Sequence, residues 1–176
     1  NFSRKTESQP ATPSKPRSGT LMYLLNALLP TGSLEHKDDI AHRKRQVLSN
    51  WATTVLVALC SQTQEKHNSR SANADAVEDT DLLFVRRFVL DHAIKVYKDA
   101  TVSPEPLDQR YSKLLAVADL FDRMLNAKPD RQSPINASGF DKSRQQLGRL
   151  MYEKNLIAAL TSSVAELDLN FPNAKR

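Results

Sequence analysis

The sequence predicts an all-α protein. Its 176 residues contain only 4 Gly, and its 40% hydrophobic content is dominated by Leu, Val and Ala with just 6% aromatic residues. Such a mixture favours helices over sheets. Apolar residues recur at spacings of three, four and seven, and no segment alternates apolar and polar residues between turn signals. About six helices follow, and successive helices are expected to pair as antiparallel hairpins. Three hairpins side by side would make an α-solenoid segment of the armadillo or HEAT kind. A compact six-helix bundle fits the periodicities equally well, and no sequence repeat of fixed period chooses between the two.

Residues 1–18, NFSRKTESQPATPSKPRS, are rich in Pro, Ser and Thr and nearly free of apolar side chains. They read as a disordered or extended basic arm. Within them TPSKP, Thr12 to Pro16, has the form a proline-directed kinase selects, which makes Thr12 a phosphorylation candidate. Residues 19–176 are expected to form the helical body. Its first helix, Thr20 to Leu29, is apolar nearly all round and is stopped by Pro30 and Gly32.

The second helix opens at Asp38 or Asp39, which can cap it, and runs to about Gln62. Its apolar stripe is Ile40, Val47, Leu48, Trp51, Val55 and Leu59, with Trp51 expected in the core. Arg43, Lys44 and Arg45 fall on the outer side as a partner-surface candidate, although adjacent helical residues point in different directions and only part of HRKR can form one patch. A polar loop near 64–79 then separates it from a third helix, about Thr80 to Lys98. There the Arg86–Arg87 pair is expected to snorkel at the apolar edge.

Pro104 and Pro106 break the chain before a fourth helix, Leu107 to Asn126, which carries the most regular stripe: Leu107, Tyr111, Leu114, Leu115, Ala118, Phe121, Met124 and Leu125. A second polar loop, near 127–140, leads to a fifth helix from about Asp141 to Lys154 on Leu147, Leu150 and Met151. Asn155 interrupts it, and a sixth helix continues through NLIAALTSSVAEL. Asn136-Ala-Ser138 is formally a glycosylation sequon, expected to be silent without a secretory signal.

The charge balance bears on partners. The net charge of +5 is confined to the ends: residues 1–17 hold four basic residues against Glu7, and Lys175 and Arg176 supply the remainder. A neutral body is a poor match for phosphate, which argues against a nucleic-acid partner. No apolar run reaches the roughly 18 residues of a membrane span. With no initiator Met and no signal peptide, Asn1 is expected to be a cut inside something larger. The single Cys60 excludes an internal disulfide and points to a reducing compartment, hence to the cytoplasm or nucleus.

Catalytic and metal chemistry find no constellation. Cys60 sits at the C-terminal end of an apolar helix, where nothing lowers a thiol pKa, and reads as a small buried hydrophobe. His36, His42, His67 and His92 never pair at ligand spacing, so no metal or other cofactor is expected. Asp38 and Asp39 suit capping, Asp119 and Asp122 a solvated helix face beside Arg123, and the four glycines make no phosphate loop.

The ending, YEKNLIAALTSSVAELDLNFPNAKR from Tyr152 to Arg176, resembles a stretch of the giant HECT-type ubiquitin ligases, the family of human Mule and its fungal counterparts. Asp168, Leu169, Asn170, Phe171 and Pro172 carry the match, and LGRLMYEKN, Leu147 to Asn155, is similar too. The likeness is looser from Asp81 to Leu125. As a solenoid joint the motif makes physical sense: Asn170 can cap a following helix, Pro172 suits its first turn, and Leu169 with Phe171 can seal the seam between repeats. The resemblance implies a non-catalytic, armadillo-like scaffold region whose partners are neighbouring solenoid repeats and the protein substrates of ubiquitination. In that family the thioester cysteine lies in a separate catalytic domain, and Cys60 does not correspond to it. A helical adaptor or tethering domain of a trafficking or other protein assembly would need the same helices.

Overall fold

A computed structural model describes residues 18–34, 39–61, 80–127 and 137–171. The arm with Thr12, the polar loop near 64–79, most of the one near 127–140, and Asp38, His36, His67, Asn136 and Pro172 lie outside them. All regular structure among the described residues is helical: α1 (Gly19–Tyr23) with its π continuation (Leu24–Leu28), α2 (Ile40–Cys60), α3 (Thr80–Thr101), α4 (Leu107–Asn126), α5 (Ala137–Glu153) and α6 (Leu156–Ala165).

In the first segment the π register lengthens the helix at its end, with Leu29 N–H donating to the Leu24 carbonyl five residues back. Leu21, Leu25 and Leu29 are buried as one row. Gly32 then turns the chain at φ +89°, a left-handed conformation that a Cβ would strain. Asp39 occupies the cap position of α2 through its backbone: its carbonyl accepts from Arg43 N–H at 3.0 Å, while its side chain makes no capping bond. The fifth helix begins at Ala137, four residues earlier than its apolar stripe indicates, because the stripe marks what is buried rather than where the backbone turns helical.

Helix α3 is the centre of the fold and packs on every other helix. Three of its residues, Arg86, Asp91 and Tyr97, tell the direction of their neighbours. Arg86 near its start reaches the Cys60 carbonyl at the end of α2, so α2 runs antiparallel to α3. The α3–α4 connection is short, residues 102–106, and Tyr97 meets Phe121 edge-on at 6.2 Å. Along α3, Arg86 bonds Ser143 and Gln146 of α5, Asp91 pairs with Lys154, and the Tyr97 hydroxyl shares a 2.5 Å hydrogen bond with Ser163 of α6. These partners advance together, so α5 and α6 follow α3 in the same sense. The interruption between them is a kink at Asn155, which adopts φ 57°, ψ 37°, rather than a reversal.

The resulting α-solenoid segment has α3 and α4 in the middle, α2 on one flank, and the kinked α5–α6 rod on the other. Leu90, Val117, Leu120 and Leu56 lie at the centre of a single core with no solvent exposure. In the fourth helix the stripe is buried or half-buried as its spacing indicates, except Leu115, which is exposed.

Candidate functional site

Helix α2 carries two faces. The inward one is made of Ser49, Ala52, Thr53, Leu56 and Cys60, recurring at three and four residues and, Leu56 apart, small. Hydrogen bonds fix it there: Ser49 Oγ donates to the Leu29 carbonyl at 2.6 Å, and Arg123 of α4 donates to Asn50 Oδ1 at 3.0 Å. The opposite face is the stripe the sequence singles out. Ile40, Val47, Leu48, Trp51, Val55 and Leu59 are all exposed, and Trp51 is 66% exposed. Trp51 is therefore not a core residue. Spacing identifies an apolar line on a helix but cannot say which line another element covers, and here the line of smaller residues won the contact.

At 100° per residue, Ile40, Lys44, Val47 and Val55 all lie within about 40° of Trp51, diametrically opposite Cys60. Lys44 thus stands inside the apolar stripe, one turn before Val47 and Leu48. Arg43 flanks it, and Arg45 turns the other way to lie over Gly32, its Nη1 3.0 Å from where a Cβ on that glycine would sit. All three are exposed. Helix α2 contains no Asp or Glu. Val47 also edges an open groove between α2 and α4, shared with exposed Leu115, Asn50 and the Asp119–Arg123 pair, whose Oδ2–Nε distance is 2.7 Å.

The opposite flank repeats the theme. Helix α6 is apolar or small nearly all round. It turns Leu156, Ala159 and Ser163 inward and leaves Ile157 and Val164 exposed, with Tyr152 of α5 exposed just before the kink. Both outer helices of the segment therefore present uncovered apolar lines. Contiguous apolar surface of this kind marks sites of contact with other protein.

Beyond α6 the motif residues fold back on α4. Asp168 N–H donates to the Tyr111 hydroxyl at 2.7 Å, Asn170 N–H donates to Asp168 Oδ1 at 2.9 Å, and Phe171 N–H donates to the Asp168 carbonyl at 3.1 Å. Phe171 is half-buried and meets the Tyr111 ring edge-on at 5.3 Å, while the Arg110 guanidinium lies over the Tyr111 ring, 5.4 Å from its centroid. Leu169 and Asn170 point to solvent. Of the residues expected to seal a seam, Phe171 packs within this segment and Leu169 stands free of it.

Arg86 is the residue the spacing missed. It is 2% exposed, so it does not snorkel. Its Nε donates to the Cys60 carbonyl at 2.8 Å, and its two terminal nitrogens reach Gln146 Oε1 and Ser143 Oγ. One planar fork thereby ties α2, α3 and α5 together. Nothing in its immediate neighbours, Val85 and exposed Arg87, distinguishes it beforehand; only its place on the inward face does. Burial beside it pushes the Cys60 thiol up from 9.0 to about 12, against a smaller opposing pull from Arg86. A thiol so held is a poor nucleophile at neutral pH. His92 Nδ1 donates to the Phe88 carbonyl at 2.7 Å, and no group of three or more His, Cys, Asp or Glu among the described residues could hold a metal ion. No helix among them is long and apolar enough to cross a membrane.

Relatives place this geometry in context. The chain is 43% identical, over 98% of its own length, to a TOM1-like E3 ubiquitin-protein ligase of Neurospora crassa, of which that stretch is 4%. It is 30% identical over 88% of its length to the E3 ubiquitin-protein ligase ptr1 of Schizosaccharomyces pombe, again 4% of that protein, and 25% identical over 92% to TOM1 of Saccharomyces cerevisiae, 5% of it. No family model and no solved structure matches the sequence. The chain therefore spans 4% to 5% of the length of the curated relatives it matches, and it belongs with the TOM1-like E3 ubiquitin-protein ligases as the counterpart of one short segment of them.

Proposed function

We propose that this chain is a non-catalytic, armadillo-like scaffold segment of a giant HECT-type E3 ubiquitin ligase, working in the cytoplasm or nucleus. In this reading it shapes the ligase and helps to bring protein substrates to it. The observation that carries the reading is the pair of uncovered apolar lines, on α2 at one flank and on α6 at the other, in a chain whose relatives are about twenty-five times longer. A closed helical domain buries such lines; a piece of a solenoid offers them to the next repeats. The buried, high-pKa Cys60 supports a structural rather than a chemical part in ubiquitin transfer.

Excising residues 18–171 from the parent ligase tests this. Thioester charging of the catalytic domain should persist, while substrate ubiquitination falls and small-angle scattering reports an altered particle shape. Loss of charging itself would point to a direct catalytic part. Unchanged shape together with unchanged substrate ubiquitination would overturn the scaffold reading.

A further inference from the structure

We propose that the outer face of α2 is covered, in the parent ligase, by an amphipathic helix of the same polypeptide that places an Asp or Glu carboxylate against Lys44. The proposal rests on the scaffold reading above and adds the chemistry of the covering element. Two observations combine. Trp51, Val47 and Val55 form an exposed apolar line long enough to seat a helix, and the relatives leave ample polypeptide outside this segment to supply one. Lys44 lies on the same line where it continues toward the start of α2, between exposed Ile40 and Val47, and makes no ion pair among the described residues.

A helix packed on Trp51 and Val47 therefore also desolvates the Lys44 ammonium. Burying an unpaired ammonium is prohibitive, so the covering surface has to supply an acceptor, and a carboxylate is the acceptor that also neutralises the charge. Helix α2 cannot provide it, because it contains no Asp or Glu from Ile40 to Cys60. Its N-terminal end is moreover the positive end of its macrodipole, which favours an anion on the same side. The expected partner is thus a helix with an apolar stripe interrupted by one acid, the complement of a stripe interrupted by one lysine. An entirely apolar helix would leave Lys44 stranded, and a basic one would be repelled.

The test compares Lys44 in the full-length ligase and in the 176-residue chain. Acylation of its amine by an N-hydroxysuccinimide ester should be slower by about tenfold or more in the full-length protein, as expected for a site that reacts only on local opening. Carbodiimide treatment, which joins amines only to carboxylates in contact, should link Lys44 to an Asp or Glu elsewhere in the same polypeptide. Equal acylation rates in the two proteins would overturn the proposal. So would slow acylation without a carboxylate link, or a link only to a different protein. None of these results bears on whether excision of the segment spares thioester charging, so failure here leaves the scaffold reading to its own test.

Discussion

Tyr111 in the first turns of α4 holds Asp168, 57 residues later, through a 2.7 Å hydrogen bond from the Asp168 amide to the phenolic oxygen. The same ring meets Phe171 edge-on, and Arg110 reaches the Glu166 carbonyl at 3.5 Å. The stretch after α6, as far as Phe171, is thereby clasped to the start of α4.

Tyr111→Phe should consequently keep the ring packing and lose only the hydrogen bond, lowering stability by about 0.5–1.5 kcal/mol. Tyr111→Ala removes the ring as well and should cost about 3–5 kcal/mol, in the range of large aromatic truncations. Hydrogen exchange at the Asp168 amide separates the two effects: Tyr111→Phe should speed it while leaving the interior of α6 protected. An unchanged Asp168 exchange rate would mean that the clasp does not hold the joint.

Arg86→Met should destabilise the chain by about 3 kcal/mol or more, since at about 1–3 kcal/mol per buried group the Cys60 carbonyl and Ser143 hydroxyl each lose a donor. Arg86→Lys should recover only part of this, because a single ammonium cannot reproduce the three directions of the guanidinium fork. Urea denaturation of the three proteins gives the ranking, and a fully stable Lys variant would show that charge matters here more than geometry.

Trp51→Ala should change the stability of the 176-residue chain by less than about 0.5 kcal/mol, as for most surface substitutions. Leu56→Ala, on the inward face of the same helix, should cost about 2–5 kcal/mol. Trp51 is the only tryptophan in the chain, so its emission also reports the site directly: it should be red-shifted and readily quenched by acrylamide in the folded protein. A blue, protected emission would return Trp51 to the core.

Cys60 gives the pH prediction. Its folded pKa is raised by burial from 9.0 to about 12. Below 9.0 the thiol is protonated in both states and contributes no pH dependence. Above 9.0 the unfolded chain releases a proton that the folded chain retains, so rising pH favours unfolding. Relative to Cys60→Ala, the wild-type chain should lose stability as pH rises past 9, by at most about 1.4 kcal/mol per pH unit. A difference between the two proteins that stays constant with pH would mean that the thiol is not shielded.

Helix order, most helix bounds and the break at Asn155 were legible because they follow from local signals: apolar spacing, Pro104 and Pro106, and an Asn that tolerates the left-handed region. The fourth helix matched in its bounds, and every residue of its stripe but Leu115 is buried or half-buried, although the stripe left out fully buried Val117 and Leu120. The second helix was located correctly but oriented wrongly, because it carries both the Trp51 line and the Leu56 line and its own sequence does not rank them. The joint at Asp168 to Phe171 was legible as a motif, whereas its attachment to Tyr111 joins positions far apart in the chain.

By itself, then, the sequence determined that the chain is helical, where the helices run and which lines on them are apolar, together with the family likeness at its end. Only the tertiary structure decided which of those lines are covered, that Arg86 is buried at a three-helix junction, and that α5 and α6 run on together along α3. The physical reason is that helix formation is governed by neighbours within about four residues, whereas burial belongs to contacts between elements tens of residues apart. Those contacts settled α2 with Leu56 and Cys60 inward, and left Trp51 and Lys44 on the outside.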